Sequence, residues 1–214
     1  CKKPVRAAIC LGASDRASMT RKSALNPSLQ RTDAEVLSRD LSYDGFLRVD
    51  TLRLKHRLLE GGWSGEITRE LQVKHAAIGM LLYDPERDTV VLVRQFRVGL
   101  LGEEQSPWIL ELVAGMIDKD ETAIEVAMRE TQEEANCLPE QVFPITTYFN
   151  SPGTTNEKVH LFCGRVNSST AGGVYGLDEE HEDIEVVVLP FRDLIQAVES
   201  GLINNAMTII ACLW

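Results

Sequence analysis

The chain predicts a mixed α/β fold. Short apolar or alternating runs bounded by Gly, Pro and Asp recur from Phe46 to Val113 and read as strands. One amphipathic helical segment lies between Gly115 and Cys137, and more strands follow it before two helical segments close the chain. Strands, one helix, strands, then helices is the order of a mixed α/β domain. The 214 residues, 44% of them apolar, fit one domain with at most a small extension.

Residues 1–35 read as an irregular, disordered tail: the first 31 are Ser- and Arg-rich, poor in acids and without apolar periodicity. A transit peptide has the same composition, and a start at Cys1 fits processing or truncation. Residues 36–74 read as an N-terminal hairpin region. Phe46 to His56 and Glu66 to Val73 alternate apolar and polar residues around the turn Glu60 to Gly65. Residues 75–214 read as the main domain, which holds the stretch, Gly115–Cys137, that carries the chemistry. His75 to Tyr83 and Thr89 to Phe96 are more continuously apolar strands, joined by the turn Asp84 to Asp88. Trp108 to Val113 is a short strand. Val142 to Phe149, Lys158 to Val166 and Asp183 to Leu189 are further strands. Pro190 opens a helix that stops at Gly201, and Asn204 to Trp214 is helical, ending without a cap.

The formal charge of −10 is uneven: residues 1–31 hold seven Lys or Arg and one acid, leaving −16 on the remainder. So acidic a body argues against a nucleic-acid surface. The five cysteines are odd in number and form no Cys-x-x-Cys pair, which argues against a disulfide framework or zinc site and fits a reducing compartment, the cytoplasm. The four histidines are scattered, and His160, in a predicted strand, is given a structural role. No apolar run approaches the ~20 residues that span a membrane.

The Gly115–Cys137 stretch carries the chemistry. Gly115 would let a tight loop leave the preceding strand. Asp118, Asp120 and Glu121 put negative charge at the helix start. Ile124, Met128, Thr131 and Ala135, with Ala127 beside them, form the expected buried stripe. Glu130 and Glu134 stand one turn apart on another face and repel each other unless a cation lies between them. Oxygen-only ligands suit a hard ion such as Mg²⁺, with Mn²⁺ as the alternative. An acidic loop, Gly176 to Asp183, offers a carboxylate as general base; Glu179, Glu180 and Glu182 are all open candidates.

Gly115, Glu121, Arg129, Glu130, Glu133 and Glu134 fall on the spacing of the Nudix hydrolase motif, and the stretch resembles that family. Thr131, Asn136 and Cys137 depart from it. Asn tolerates the left-handed conformation that ends a helix, so Asn136 should still serve there. The resemblance implies a Nudix-type α/β/α sandwich with a mixed sheet and an N-terminal β-hairpin extension. It implies metal ligation by Glu130, Glu134 and the Ala114 carbonyl, with Glu133 assisting, Arg129 orienting a carboxylate and Glu121 in support.

Pro152, 15 residues beyond Cys137, and the segments Val91 to Arg97, Pro107 to Ile117 and Asn204 to Ala206 are similar to the bacterial ADP-ribose pyrophosphatase branch. That resemblance implies Mg²⁺-dependent hydrolysis of ADP-ribose to AMP and ribose 5-phosphate. The alternatives are another nucleoside diphosphate sugar such as GDP-mannose, or a catalytically degenerate ADP-ribose-binding module. Carried over by position, Phe46 stacks on adenine and Arg69 and Arg97 meet phosphates or the adenine pocket. Met116 and Glu157 line the ribose side, with Ser151 and Gly153 in the same substrate-binding loop. Glu180 aligns with the base and Glu182 with a further metal ligand. The branch also implies a homodimer that exchanges N-terminal strands, each site borrowing Phe46 and Arg69 from its partner.

Overall fold

A computed structural model describes residues 28–118, 120–177, 179 and 181–214. The tail reading over residues 1–27 lies outside the described residues. The chain divides into two compact units. One comprises the described part of Cys1–Ser42 with Asp50–Glu70; the other comprises Tyr43–Val49 with Leu71–Trp214.

A three-stranded sheet runs in the order β1 (Ala34–Asp44), β2 (Arg48–His56), β3 (Ile67–Val73). The expected hairpin strands are β2 and β3. β1 was not read from the sequence, and it begins within the stretch taken as tail. Its side chains are almost all exposed, so no alternation of buried and polar positions marks it. In the first unit, Lys55 and Arg57 lie over the Trp63 ring, and Lys55 pairs with Glu35 at 2.9 Å.

The second unit is built on an eight-stranded mixed sheet. Its main path is β10 (Gly173–Tyr175), β11 (Ile184–Pro190), β5 (Thr89–Phe96), β4 (Ala76–Asp84), β9 (Lys158–Arg165), β8 (Gln141–Phe149). The short strands β6 (Trp108–Glu111) and β7 (Val113–Ile117) pair with β5 and β4. The β4–β9 pair is parallel, and β10–β11, β11–β5, β5–β4, β4–β7, β5–β6 and β9–β8 are antiparallel. The central strands read as continuous apolar runs because both faces are covered. Ile78, Met80, Leu82, Val91 and Val93 pack with Val126, Ala127 and Ala135 of α1 (Ala123–Ala135). The alternate residues Leu81, Val90 and Leu92 pack with Leu194 of α2 (Phe191–Glu199) and Ala211 of α3 (Ala206–Leu213). One helix on one face and two on the other make the sheet the middle of an α/β/α sandwich.

The ends of α1 follow from local chemistry. Thr122 accepts from the Glu125 N–H, and the Glu125 carboxylate accepts from the Thr122 N–H and hydroxyl, a reciprocal capping box. Asn136 ends the helix at φ 45°, ψ 39°, the left-handed role expected of it. The buried stripe is different from the expected one. Val126, Ala127, Thr131, Glu134 and Ala135 face inward, whereas Ile124 is exposed and Met128 half-buried. The inward face therefore includes a carboxylate, Glu134, which an apolar count places outside.

At the β4–β5 turn, Asp84 is buried and accepts from the Ser168 N–H and hydroxyl, both at 2.8 Å, and from the Glu86 and Arg87 N–H groups. These donors, led by the Ser168 N–H, hold its carboxyl well below the usual range. The resulting stability is complete above the unfolded carboxylate value near pH ~4 and is lost as pH falls towards the depressed folded value. Asp84→Asn is expected to lower Tm by roughly 5 °C or more at neutral pH, and by less as the medium is acidified. Thermal melts from pH 3 to 7 check this; equal losses at every pH would disprove it.

Candidate active site

Strand β7 runs past α1, and the site forms where they touch. Gly115 sits inside β7, paired with Ile78, and its φ is not positive. The expectation of a loop glycine is corrected here: the position needs the absence of a side chain. A Cβ on Gly115 would overlap the carboxyl group of Glu130. One residue earlier, the Ala114 N–H donates to Glu134 Oε2 at 3.1 Å. Glycine thus allows the helix to lean on the strand, and the strand's backbone fixes the helix's buried carboxylate.

Arg129 organises the other acids. Its Nε and Nη2 donate to the two oxygens of Glu121, each at 3.2 Å, a bidentate fork. Its Nη1 donates to Glu130 at 2.9 Å and to Glu133 at 3.0 Å. The Glu121 bond, with the charges of Glu130 and Glu133, raises its pKa further. Burial pushes Glu130 up to about 7, against Arg129, and pushes Glu134 up to about 8, against the Ala114 N–H. The charge of Glu182 adds to both shifts.

A cavity of about 380 Å³ opens over this junction. Glu130, Glu134, Arg129, Ala114 and Met116 line it together with Glu182, Arg97, Glu157 and Phe46. Nine of the fourteen candidate catalytic, substrate-binding and metal-binding residues therefore meet at one cavity. Phe46, at the β1–β2 turn, is 95% exposed and stands at the cavity of its own chain. Glu182 accepts from the Leu177 N–H at 3.1 Å. Arg97 is engaged with the buried Glu111 at 2.6 Å. Burial raises the Glu111 carboxyl against that partner.

The other described candidates do not line it. Glu133 is held by Arg129 and does not line the cavity. Ser151 turns the loop after β8, its carbonyl accepting from the N–H groups of Thr154 and Thr155, and neither it nor Gly153 lines the cavity. Arg69 belongs to the first unit, where its guanidinium donates to the Thr68 carbonyl. Glu180 lies outside the described residues, and Glu179 is exposed.

Sequence reading missed Lys74, Gln95 and Glu111, and it gave Asp118, which lines the cavity, only a charge at the helix start. Gln95 is 7% exposed, lines the cavity, and its carboxamide nitrogen has no hydrogen-bond partner among the described residues. A polar residue interrupting the apolar run of β5 was the available signal. Lys74 lines the cavity and pairs with Glu157 across 83 positions of sequence, a separation no local pattern reveals.

A family model described as NUDIX domain matches residues 73–206. The ADP-ribose pyrophosphatase of Escherichia coli K12 is 38% identical over 196 residues, covering 92% of this chain and 94% of that protein. That of Haemophilus influenzae is 40% identical over 185 residues, 85% of each chain. A GDP-mannose pyrophosphatase of Cronobacter sakazakii is 31% identical and covers 80% of this chain and 83% of that protein. A solved structure described as an ADP compounds hydrolase superposes with TM-score 0.66 at 18% identity, over 88% of this chain and 95% of that one, which shows a shared fold. The motif on α1, the sandwich around it and the length of these matches lead to one conclusion: the chain belongs to the Nudix family.

Proposed function

We propose that this protein is a Mg²⁺-dependent pyrophosphatase that hydrolyses ADP-ribose to AMP and ribose 5-phosphate. The observation that carries this reading is 38–40% identity, over at least 85% of both chains, to ADP-ribose pyrophosphatases. GDP-mannose is the weaker alternative, since the relative of that name is both less identical and less fully covered. Glu130, Glu133 and Glu134 are all retained, which argues against a degenerate binding module.

Nudix hydrolases generally use divalent metal ions. Among the described residues no three His, Cys, Asp or Glu side chains converge as they stand. Glu130 is turned to Arg129 and Glu134 to the Ala114 N–H. The donor set nevertheless fits a hard cation: it is oxygen only, and its two helix carboxylates sit in a buried place that disfavours their charge. Glu130, Glu134, Glu182 and the Ala114 carbonyl would hold the ion. When bound, such an ion neutralises phosphate oxygens and makes water more acidic.

The chain's own groups do the rest. Arg129 keeps Glu121, Glu130 and Glu133 in register through its fork. Arg97 presents positive charge to the diphosphate, and Phe46 offers a face for adenine. A carboxylate of the acidic loop takes the proton of the attacking water; Glu180 is assigned that role and Glu182 ligation. Leu37 and Leu41, on one face of β1, are both exposed, an apolar surface that a second copy of the chain would cover. We place the enzyme in the cytoplasm on the free Cys137, Cys163 and Cys212; among the described residues no helix is long and apolar enough to cross a membrane.

The test is turnover of ADP-ribose, GDP-mannose, ADP-glucose and a nucleoside triphosphate, with Mg²⁺ and with chelator, separating nucleotide from sugar phosphate. Preference for ADP-ribose, dependent on Mg²⁺, is expected. Glu180→Gln should lower kcat by about 10²–10⁴-fold while substrate still binds. Preference for GDP-mannose, or binding of ADP-ribose without cleavage, would overturn the reading. If Glu182→Gln alone fails, the base has been misassigned.

A further inference from the structure

Arg97 is held at both ends. Its backbone N–H donates to the Pro107 carbonyl at 2.8 Å, which carries the β5–β6 pairing one step beyond Phe96 and Trp108. The residue is extended, with φ −128° and ψ 108°, so Val93, Gln95 and Arg97 share one face. Glu111 of β6 stands opposite Val93 on that face. To reach it, the Arg97 side chain lies back along β5, past Gln95. Nε and Nη2 both donate to Glu111 Oε1, each at 2.6 Å. Among the described residues Nη1 has no acceptor, and Arg97 lines the cavity.

The pair is unequal. The Glu111 side chain is 5% exposed and that of Arg97 is 43% exposed. Burial raises the Glu111 carboxyl, against Arg97 and against the Gln95 amide, whose nitrogen closes no hydrogen bond among the described residues. A charge buried on one side and screened by water on the other is poor support for a fold, and a neutral side chain of similar shape is often no less stable in such a place. What Glu111 supplies is direction. An arginine left free samples many rotamers. Glu130, Glu134, Glu157 and Glu182 line the same cavity, and each could draw a loose guanidinium to itself. The charge of Arg97 already reaches Glu134. With Nε and Nη2 fixed by Glu111, the planar head has one orientation, and its Nη1 edge remains for an acceptor in the cavity.

We propose that Glu111 is a positioning residue for the diphosphate: by gripping Nε and Nη2 it aims the Nη1 edge of Arg97 at the phosphate oxygens and keeps the guanidinium off the acids of the cavity. The inference rests on the nucleoside diphosphate sugar reading above, which gives Arg97 a phosphate and gives Glu111 no role. Glu111 acts only through Arg97, so its loss should weaken the hold on the diphosphate and leave the nucleoside untouched.

Steady-state kinetics with ADP-ribose and Mg²⁺, inhibition by ADP and by adenosine, and thermal melts test it on Glu111→Gln, Arg97→Met, the double variant and Arg97→Lys. Glu111→Gln is expected to lower kcat/KM about tenfold and to raise the ADP inhibition constant about tenfold, the scale of one hydrogen bond to a charged group. The adenosine constant should stay within about twofold. Tm should hold or rise, because a neutral amide replaces a buried carboxylate. Arg97→Met should lose about 10²-fold in kcat/KM and lower Tm, since it leaves that carboxylate buried without its partner. In the double variant Tm should recover while kcat/KM stays within about twofold of Arg97→Met, because Glu111 has no arginine left to direct. Arg97→Lys keeps the charge without the planar fork and should fall about tenfold or more. Wild-type kcat/KM in Glu111→Gln or in Arg97→Lys overturns the proposal, as does a further loss of about tenfold in the double variant. An adenosine constant that rises with that of ADP, or a larger Tm loss in Glu111→Gln than in Arg97→Met, makes the pair a structural support and overturns it as well. Absence of ADP-ribose hydrolysis by the wild type would instead overturn the functional reading on which it rests.

Discussion

Glu134→Gln is expected to lower kcat for ADP-ribose by about 10²–10³-fold, the share of a barrier that several kcal/mol of charge stabilisation represents. The substitution is nearly isosteric and keeps an oxygen for the Ala114 N–H, so the fold should persist. What it removes is charge. Glu134 is 3% exposed, and burial raises its carboxyl to about 8, with the charges of Glu130 and Glu182 adding to the shift. A carboxylate so poorly solvated ionises at neutral pH when a cation shares its site.

The same groups predict a pH signature in the chelated protein. The folded carboxyls at positions 130 and 134 lie near 7 and 8, above the unfolded value of ~4.3. The folded state therefore holds protons that the unfolded state has released, and stability declines as pH rises through this window, levelling off above the folded values. Melts of the chelated wild type should fall between pH 5 and 8.5, with Mg²⁺ restoring stability most at the alkaline end. Glu134→Gln should flatten both trends. Wild-type turnover in Glu134→Gln, or an unchanged response to Mg²⁺, would remove Glu134 from the ion's ligands.

These predictions draw on residues that the sequence makes visible to different degrees. The apolar runs of β4 and β5 and the caps of α1 are local features. Their lengths, their spacing and the Asn136 stop are written in consecutive residues, and the sandwich follows from them. Where burial and chemistry conflict, local pattern misleads. Ile124 and Met128 carry the apolar periodicity of α1, yet Glu134 takes the buried face because strand β7 supplies an N–H there. β1 lacks any buried alternation and left no trace. Lys74 joins Glu157, and Arg97 joins Glu111, through pairings set by the sheet. Sequence spacing identifies the acids on one helix turn, but it cannot say which side chain from another strand holds each of them.

Gly115→Ala carries this distinction into an experiment. In a loop, where conformation would be the issue, the change would be judged by backbone strain. In β7 the φ of Gly115 is one that alanine adopts freely, and its strand pairing with Ile78 is preserved. The added methyl group instead meets the Cγ, Cδ and Oε1 atoms of Glu130. Two responses are open to the protein. The Glu130 side chain can turn away, which costs its bond to Arg129 and its place over the cavity. Otherwise α1 can lift from β7, which lengthens the contact between Glu134 and the Ala114 N–H. Either displaces a carboxylate by a distance comparable to a carbon–carbon bond, and a misplacement of about 1 Å can cost ~10²-fold in rate. Gly115→Ala is therefore expected to fold, with Tm lowered by only a few degrees, and to lose about 10²-fold or more in kcat. Gly102, which lies in the same unit with open space around its Cβ position, is the control, and Gly102→Ala should retain kcat within a few-fold. Near-wild-type turnover in Gly115→Ala would mean that Glu130 relocates without consequence, and the leaning of helix on strand would then be a matter of packing alone.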